Sequence, residues 1–212
     1  MTTLKDAIAA YEVVKAEKVP ADKLAIMDQA TVDLVATEID KQALKTGDKI
    51  PAFSLPNQNN DDMSLPDSLV VLNFYRGGWC PYCNFELGAL QKLVPEFEAA
   101  GARLIAITPE NPDHSMSTKE KNELSFDILS DAGNKVAKQF GLVFALPAEI
   151  QSIYNAFGID VQKHNGDDTF ELPIPATYVI NSEGEIVYHF VDSDYTQRSE
   201  PSDVLAAVKA LS

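Results

Sequence analysis

Residues 69–91 read LVVLNFYRGGWCPYCNFELGALQ, and this stretch decides how the rest of the chain is read. Leu69 to Tyr75 form an unbroken apolar and aromatic run of strand length, the pattern of a strand covered on both faces of a sheet. Gly77 and Gly78 then open a loop. Cys80 follows at the expected N-cap of a helix, with Pro81 at the first helical position, where its missing amide costs nothing. Downstream, Phe85, Leu90, Leu93 and Phe97 recur at roughly helical spacing; Gly101 stops this helix and Pro95 kinks it. The two cysteines are therefore expected at the carboxyl end of a buried strand, the usual place for ligands in open α/β sheets.

On the carboxyl side, ARLIAITPE (102–110) predicts a second buried strand, ENPDHSMS a loop, and residues 118–142 a helix, a short strand and a helix stopped at Gly141. From Val143 to Leu172 no single period holds beyond a helix near 148–157. ATYVINSEGEIVYHFVD (176–192) is a hairpin turning through Asn181 to Gly184, and a short helix over 201–212 ends the chain. On the amino side, residues 46–68 are rich in Gly, Pro, Asn and Asp and mark a boundary. Residues 2–45 read as helical with an interruption at Pro20, placing Leu4, Ile8 and Tyr11, then Leu24, Met27, Ala30 and Leu34, at helical spacing. This order predicts an α/β fold whose central mixed sheet has parallel crossovers, ends in an antiparallel pair and is flanked by helices.

The chain has 212 residues, 45% of them hydrophobic and 23% charged, which suits one domain with an extension. Seventeen Lys and Arg against thirty-two Asp and Glu give a formal charge of −15. A surface so negative repels phosphate backbones and anionic lipid, so no nucleic acid and no membrane is expected as a partner. A small neutral substrate is nearly indifferent to that field. No apolar run approaches the ~18 residues of a membrane helix. The opening MTTLKDAIAAYEVVKAEKVP lacks the layout of a secretory signal, so the expected location is cytoplasmic.

Cys80 and Cys83 are the only cysteines, and two placed at random would fall three apart on the order of one time in a hundred. In a reducing compartment such a pair is more readily catalytic or metal-bound than a static staple. First-turn amides and the helix dipole favour a thiolate at Cys80, an environment that lowers a thiol from ~8.5 to ~3.5–7.5. Cys83 lies on the same face, within reach of a disulfide after slight tightening. Two other readings stand beside this one. A structural zinc would have to recruit from His114, His164 and His189, none at a paired spacing. An inert buried pair is the other, although Gly77, Gly78 and Pro81 argue for a loop mouth. Pro175 enters the hairpin's first strand; composition favours a trans Ile174–Pro175 bond, whereas a cis one would turn backbone groups toward the cysteines.

FYRGGWCPYC followed by a helix, with IPATYVI downstream, resembles the thioredoxin superfamily, whose members carry W-C-x-x-C and a cis-proline before a strand. More narrowly, residues from about 47 to 192 resemble the peroxiredoxins of the alkyl hydroperoxide reductase and thiol-specific antioxidant family. TGDKIPAFSLPN is similar to that family's opening, and LSFDILSDAGNKVAKQFGL to its Leu-Ser-Asp and Phe-Gly segment. The resemblance implies a thioredoxin-like domain over 46–212, with residues 1–45 as a helical N-terminal extension outside it. It implies a thiol peroxidase without cofactor or metal, cycling between a Cys80/Cys83 dithiol and a disulfide. The substrate would be a hydroperoxide and the reductant a thioredoxin or glutaredoxin system.

On the family's P-x-x-x-T-x-x-C register Cys83 takes the peroxidatic position, Cys80 that of the Thr and Arg76 that of the Pro. Pro175 stands where the family has a second arginine. Thioredoxin-like chemistry instead makes an exposed Cys80 attack and Cys83 resolve, so the first nucleophile stays open. Arg76, the nearest cation in sequence, is either a stabiliser of thiolate or peroxide or an ordinary surface arginine. Trp79, Tyr82 and Pro175 are expected to shape the mouth that receives substrate. A thiol–disulfide oxidoreductase is the alternative enzyme, and a redox sensor that oxidises once is the alternative from another class. The N-terminal helices suit a homodimer interface and a cap on the chain's own core equally.

Overall fold

The computed structural model describes residues 3–211; Thr2 and Ser212, the outer ends of the two terminal stretches expected to be helical, lie outside them. Helix α1 (Leu4–Lys18) opens at Thr3, whose side chain accepts from the Asp6 amide while Asp6 reaches back to the Thr3 amide, a capping box. Helices α2 (Ala21–Ala36) and α3 (Ile39–Gln42) follow, beyond the interruption at Pro20. A small antiparallel pair, β1 (Ser54–Pro56) and β2 (Asp62–Ser64), leads to β3 (Leu69–Phe74). Helices α4 (Pro81–Gln91) and α5 (Val94–Ala99) connect it to β4 (Ala102–Thr108), and α6 (Pro112–Lys121) connects that strand to β5 (Asp127–Ser130). Then come α7 (Lys135–Gln139), β6 (Val143–Ala145), α8 (Ala148–Ala156), α9 (Val161–Asn165) and β7 (Glu171–Pro173). The hairpin β8 (Ala176–Ile180) and β9 (Ile186–Val191) precedes α10 (Pro201–Lys209).

The central sheet has the order β5-β4-β3-β8-β9. β3, β4 and β5 run parallel, and β8 and β9 close the sheet as the antiparallel pair expected from the sequence. Alternation along β3 divides the core. Val70, Leu72 and Phe74 face one apolar cluster with Phe140 and Tyr178; Val71 and Tyr75 face a second with Leu87, Phe97 and both cysteines. Side chains of this kind, when fully buried, stabilise the fold by about 1.5–3 kcal/mol each. Helix α1 packs on α4 and α2 on α8. The Leu4 and Lys5 amides donate to the Glu200 carboxylate (3.2 and 2.7 Å), tying the start of α1 to the loop before α10. Among the described residues no helix is long and apolar enough to cross a membrane.

Several local expectations are corrected. Pro95 does not kink one helix but begins another: α4 ends at Gln91, and Pro95, without an amide to donate, sits in the first turn of α5. Most of the expected loop ENPDHSMS is helix α6, opened by Asn111, whose side chain accepts from the His114 amide (3.2 Å), and by Pro112 at its first position. β6, α9 and β7 lie where no period was legible; β6 and β7 pair over only three residues, too few to display an alternation. No peptide bond among the described residues is cis, so Ile174–Pro175 is trans, the form that composition favours.

Candidate active site

β3 delivers the chain to a loop that only glycine can make. A Cβ on Gly78 would stand 2.0 Å from the Thr118 hydroxyl oxygen, and one on Gly77 2.3 Å from the Trp79 indole nitrogen. The Gly78 amide donates to Glu110 Oε2 (2.8 Å), and Glu110, fully buried, also contacts His164 Nδ1 at 2.6 Å. Asn84 fastens the loop from the other side, its amide group donating to the carbonyls of Gly78 (2.8 Å) and Cys80 (2.9 Å). Cys80 is the N-cap of α4 with an extended backbone, and Pro81 follows inside the first turn, as the sequence predicts.

Both cysteines are free thiols and both are buried: Cys80 is 1% exposed and Cys83 0%. This corrects the exposed Cys80 of the thioredoxin-like reading; the aromatic rings of the mouth close over it. The two still differ in access. Cys80 lines a cavity of about 360 Å³ together with Tyr11, Arg76, Trp79, Tyr82, Tyr154 and Tyr195, whereas Cys83 is not part of its wall. Tyr82 packs edge-on against Tyr11 (5.3 Å) and Tyr195 (5.5 Å), and Trp79 against Tyr154 (5.4 Å). Tyr82 and Glu12 share a short hydrogen bond, and Lys15 Nζ donates to Tyr82 Oη at 3.0 Å, so α1 is fastened to the rim.

Arg76 is no surface residue: its side chain is 2% exposed. Its Nη2 donates to Tyr154 Oη (2.7 Å), and its guanidinium lies 4.4 Å from the Tyr195 ring centre and 5.2 Å from that of Trp79. Among the described residues no carboxylate pairs with it, and its Nε has no hydrogen-bond partner. A buried cation without a counter-charge is costly. The available counter-charge is the Cys80 thiolate. Burial opposes ionisation of Cys80, but the hydrogen bond from Cys83, the charges of Arg76 and Arg198, and the Cys83 amide outweigh it and bring the thiol from about 9 down to about 6. A displacement of that size corresponds to roughly 4 kcal/mol, comparable with one pair of unit charges ~4 Å apart at an effective dielectric of ~20. Cys83 moves the other way: burial and the hydrogen bond and charge of Cys80 push it well above its usual value, against the pull of Arg198. The dithiol is thus polarised into a thiolate in the cavity and a protonated thiol behind it.

Behind Cys83 stands a second buried cation that the sequence reading missed. Arg198, from the loop before α10, donates from Nη2 toward Cys83 Sγ (3.6 Å), and its Nε lies 2.7 Å from Glu86 Oε2, at ion-pair distance though off the hydrogen-bond direction. Glu86, one turn after Cys83 and also buried, accepts from the Thr177 hydroxyl (3.1 Å), which in turn accepts from Asn73 Nδ2 (3.0 Å). Burial pushes the Glu86 carboxyl up to about 7 despite Arg198. An arginine therefore does stand at the pair even though Pro175 occupies the family's second-arginine position. Of the expected residues, Cys80, Cys83, Arg76, Trp79 and Tyr82 come together. Pro175, buried just before the Ala176–Phe74 pairing of β8 with β3, does not line the cavity. The sequence holds only three arginines, and two of them, Arg76 and Arg198, stand at the cysteine pair, but nothing in the pattern around Arg198 separates it from Arg103. Neither cysteine gathers a histidine, and among the described residues no group of three or more His, Cys, Asp or Glu is placed to hold a metal.

Residues 46–189 match the AhpC/TSA family. The chain is 33% identical over 102 residues to peroxiredoxin Bcp of Escherichia coli K12, an overlap of 47% of this chain and 65%, just under two thirds, of that protein's length. It is 27% identical over 147 residues to the putative peroxiredoxin Rv2521 of Mycobacterium tuberculosis, covering 68% of this chain and 83% of that one. Among solved structures, peroxidoxin BcpB of M. tuberculosis superposes with a TM-score of 0.62 at 24% identity over 80% of this chain and 99% of that one. A peroxiredoxin-like protein of Aquifex aeolicus does so with a TM-score of 0.64 at 17% identity, over 80% and 89%. At these identities the superpositions establish the thioredoxin-like fold.

Proposed function

The chain belongs to the AhpC/TSA family, and from that premise we propose that it is a thiol peroxidase in which Cys80 is the first nucleophile. The observation that carries this reading is the pairing, in one cavity, of a low-pKa Cys80 with a buried Arg76 that has no carboxylate partner. The Cys80 thiolate attacks the terminal oxygen of a hydroperoxide; an S–O bond forms, the O–O bond breaks, and the departing alkoxide takes a proton to leave as an alcohol. Arg76 faces both the thiolate and the charge that grows on the leaving oxygen. Cys80 is now a sulfenic acid. The Cys83 sulfur displaces its hydroxyl, which leaves as water with the Cys83 proton, and the disulfide closes within the first turn of α4. A thioredoxin- or glutaredoxin-type dithiol, itself oxidised to a disulfide, returns both thiols. A cytoplasmic setting, where such donors are kept reduced, goes with this reading.

The reading is tested by rapid mixing of the reduced protein with hydrogen peroxide, an organic hydroperoxide and a small-molecule disulfide, following the fluorescence of Trp79, the only tryptophan and the neighbour of Cys80. Oxidation by a hydroperoxide far above the rate of a free thiol is expected. Rapid reaction with the disulfide alone would replace the peroxidase with a disulfide oxidoreductase.

The pH profile has a definite sign. The thiolate is the reactive form and Cys80 titrates near 6, so the oxidation rate is level above pH 7 and falls as pH drops through 6. At pH 5 it is expected to be about tenfold lower than at pH 8. Arg76→Met keeps bulk but removes one of the charges that hold the thiol down, leaving Cys83 and Arg198 alone against burial and taking the cation from the leaving oxygen. The midpoint then moves up, and the rate at pH 7 falls by at least ~10-fold, which the same pH series reads.

A further inference from the structure

We infer that Tyr154 is the proton donor of the peroxidase step, its hydroxyl protonating the oxygen that leaves when the Cys80 thiolate breaks the O–O bond. This rests on the peroxidase reading above and assigns the source of the proton which that chemistry requires. Tyr154 stands on α8, which Ile150 and Ile153 anchor in a small apolar cluster. Its side chain reaches the wall of the Cys80 cavity beside Arg76 and Trp79, and the Trp79 ring packs 5.4 Å from its own. The residue is 5% exposed. Its oxygen accepts from Arg76 Nη2 at 2.7 Å, and among the described residues nothing accepts its hydrogen. A tyrosine hydroxyl both donates and accepts, and a buried donor left without an acceptor is costly. The oxygen faces the guanidinium, so the hydrogen is free to turn into the cavity, where Cys80 is close enough for its charge to act on the hydroxyl.

The other donors of the wall are placed differently. Tyr82 is tied to Glu12 and Lys15, and Lys15 to both of them. Tyr195 meets the guanidinium with its ring, whereas Tyr154 meets it with its oxygen. Burial pushes the Tyr154 hydroxyl up against the charge and hydrogen bond of Arg76, and the Cys80 charge pushes it further, so it is protonated at neutral pH. A departing hydroxide or alkoxide is far more basic, near the ~15.7 of water, and takes that proton readily. The hydrogen bond from a cation polarises the O–H and makes it the better donor. In the step itself the attacked terminal oxygen keeps its hydrogen and becomes the sulfenic hydroxyl. The O–O bond breaks, its electron pair goes to the leaving oxygen, and the Tyr154 proton follows, giving water or an alcohol. The tyrosinate left behind pairs with Arg76 until solvent returns the proton that Cys80 gave up on ionising.

Tyr154→Phe removes the one oxygen in question. The test measures oxidation of the reduced native and variant proteins at pH 7 by hydrogen peroxide, tert-butyl hydroperoxide and peracetic acid, read by Trp79 fluorescence. The first two expel hydroxide or alkoxide, which need a proton; peracetic acid expels acetate, which does not. General acid catalysis contributes at least ~100-fold, so the ratio of either of the first two rates to the peracetic acid rate should fall by about that factor in the variant. The Cys80 midpoint, read from thiolate absorbance near 240 nm, should stay near 6, which separates a lost donor from a displaced Arg76. In the native protein the spread of the three rates should also be narrower than with a free thiol such as dithiothreitol, a comparison that stands even if the variant fails to fold. A native spread equal to that of the free thiol, or a variant that slows with all three peroxides alike or with none, would overturn the donor and leave the peroxidase standing. Native rates no faster than a free thiol with all three would overturn the peroxidase and this inference with it.

Discussion

Cys80→Ser is expected to lose peroxide-driven oxidation by at least ~10³-fold, because a serine hydroxyl is no nucleophile at neutral pH, whereas Cys83→Ser should still react once at close to the native rate. The asymmetry follows from the cavity wall, which includes Cys80 and excludes Cys83, and from the opposite directions in which the two thiols are moved. In Cys83→Ser the serine hydroxyl can still donate to the Cys80 thiolate, so the nucleophile keeps part of its stabilisation, but no sulfur remains to close the disulfide. The sulfenic acid should persist and be trapped by dimedone, with one thiol lost per peroxide instead of two. The reverse pattern, a dead Cys83→Ser and a reactive Cys80→Ser, would restore the family register in which Cys83 is peroxidatic.

The second large effect is on stability. Arg198→Ala leaves the Glu86 carboxylate, buried one turn behind Cys83, with only the Thr177 hydroxyl. Breaking a buried ion pair by removing one partner costs about 3–5 kcal/mol. The lower end applies here because Glu86 can escape by taking a proton. The sign follows from its pKa of about 7 in the fold against 4.5 in the open chain. Between those values the folded form binds the extra proton, so this group's contribution to stability grows as pH falls from 7 and is complete below 4.5. In the native protein the ion pair exists mainly above pH 7. Urea unfolding should therefore show a loss of roughly 3 kcal/mol at pH 8 and a smaller one at pH 5.5. The double variant Glu86→Leu with Arg198→Met should recover most of it, since replacing both partners by apolar groups leaves no orphaned charge. An unchanged midpoint at pH 8 would mean that the pair is solvated.

The run from Leu69 to Gln91 carried its own structure: a buried strand, two glycines, an N-cap and Pro81 at the first turn all recur in the fold. The β8–β9 hairpin was equally plain, because its turn from Asn181 to Gly184 is local. What stayed hidden was contact between distant segments. Arg198 lies 115 positions from Cys83 and reaches it from a loop with no periodic pattern. Tyr154 meets Arg76 across 78 positions, from the helix legible near 148–157 whose place against β3 the chain order does not give. Burial of Cys80 was illegible for the same reason. Its cover comes from Tyr11, Tyr154 and Tyr195, three elements that the chain order does not bring together. The helical spacing of Leu4, Ile8 and Tyr11 was visible, yet it said nothing of a rim closed by Glu12, Lys15 and Tyr82.

The account turns on one charge, the thiolate that balances Arg76. The most direct measurement is the thiolate absorbance near 240 nm of the reduced protein as pH is raised, repeated in Cys80→Ser. One thiolate should appear with a midpoint near 6 and be absent from Cys80→Ser, while Cys83 stays protonated well above pH 9. Two thiols titrating together near the ordinary ~8.5 of a free cysteine would contradict it.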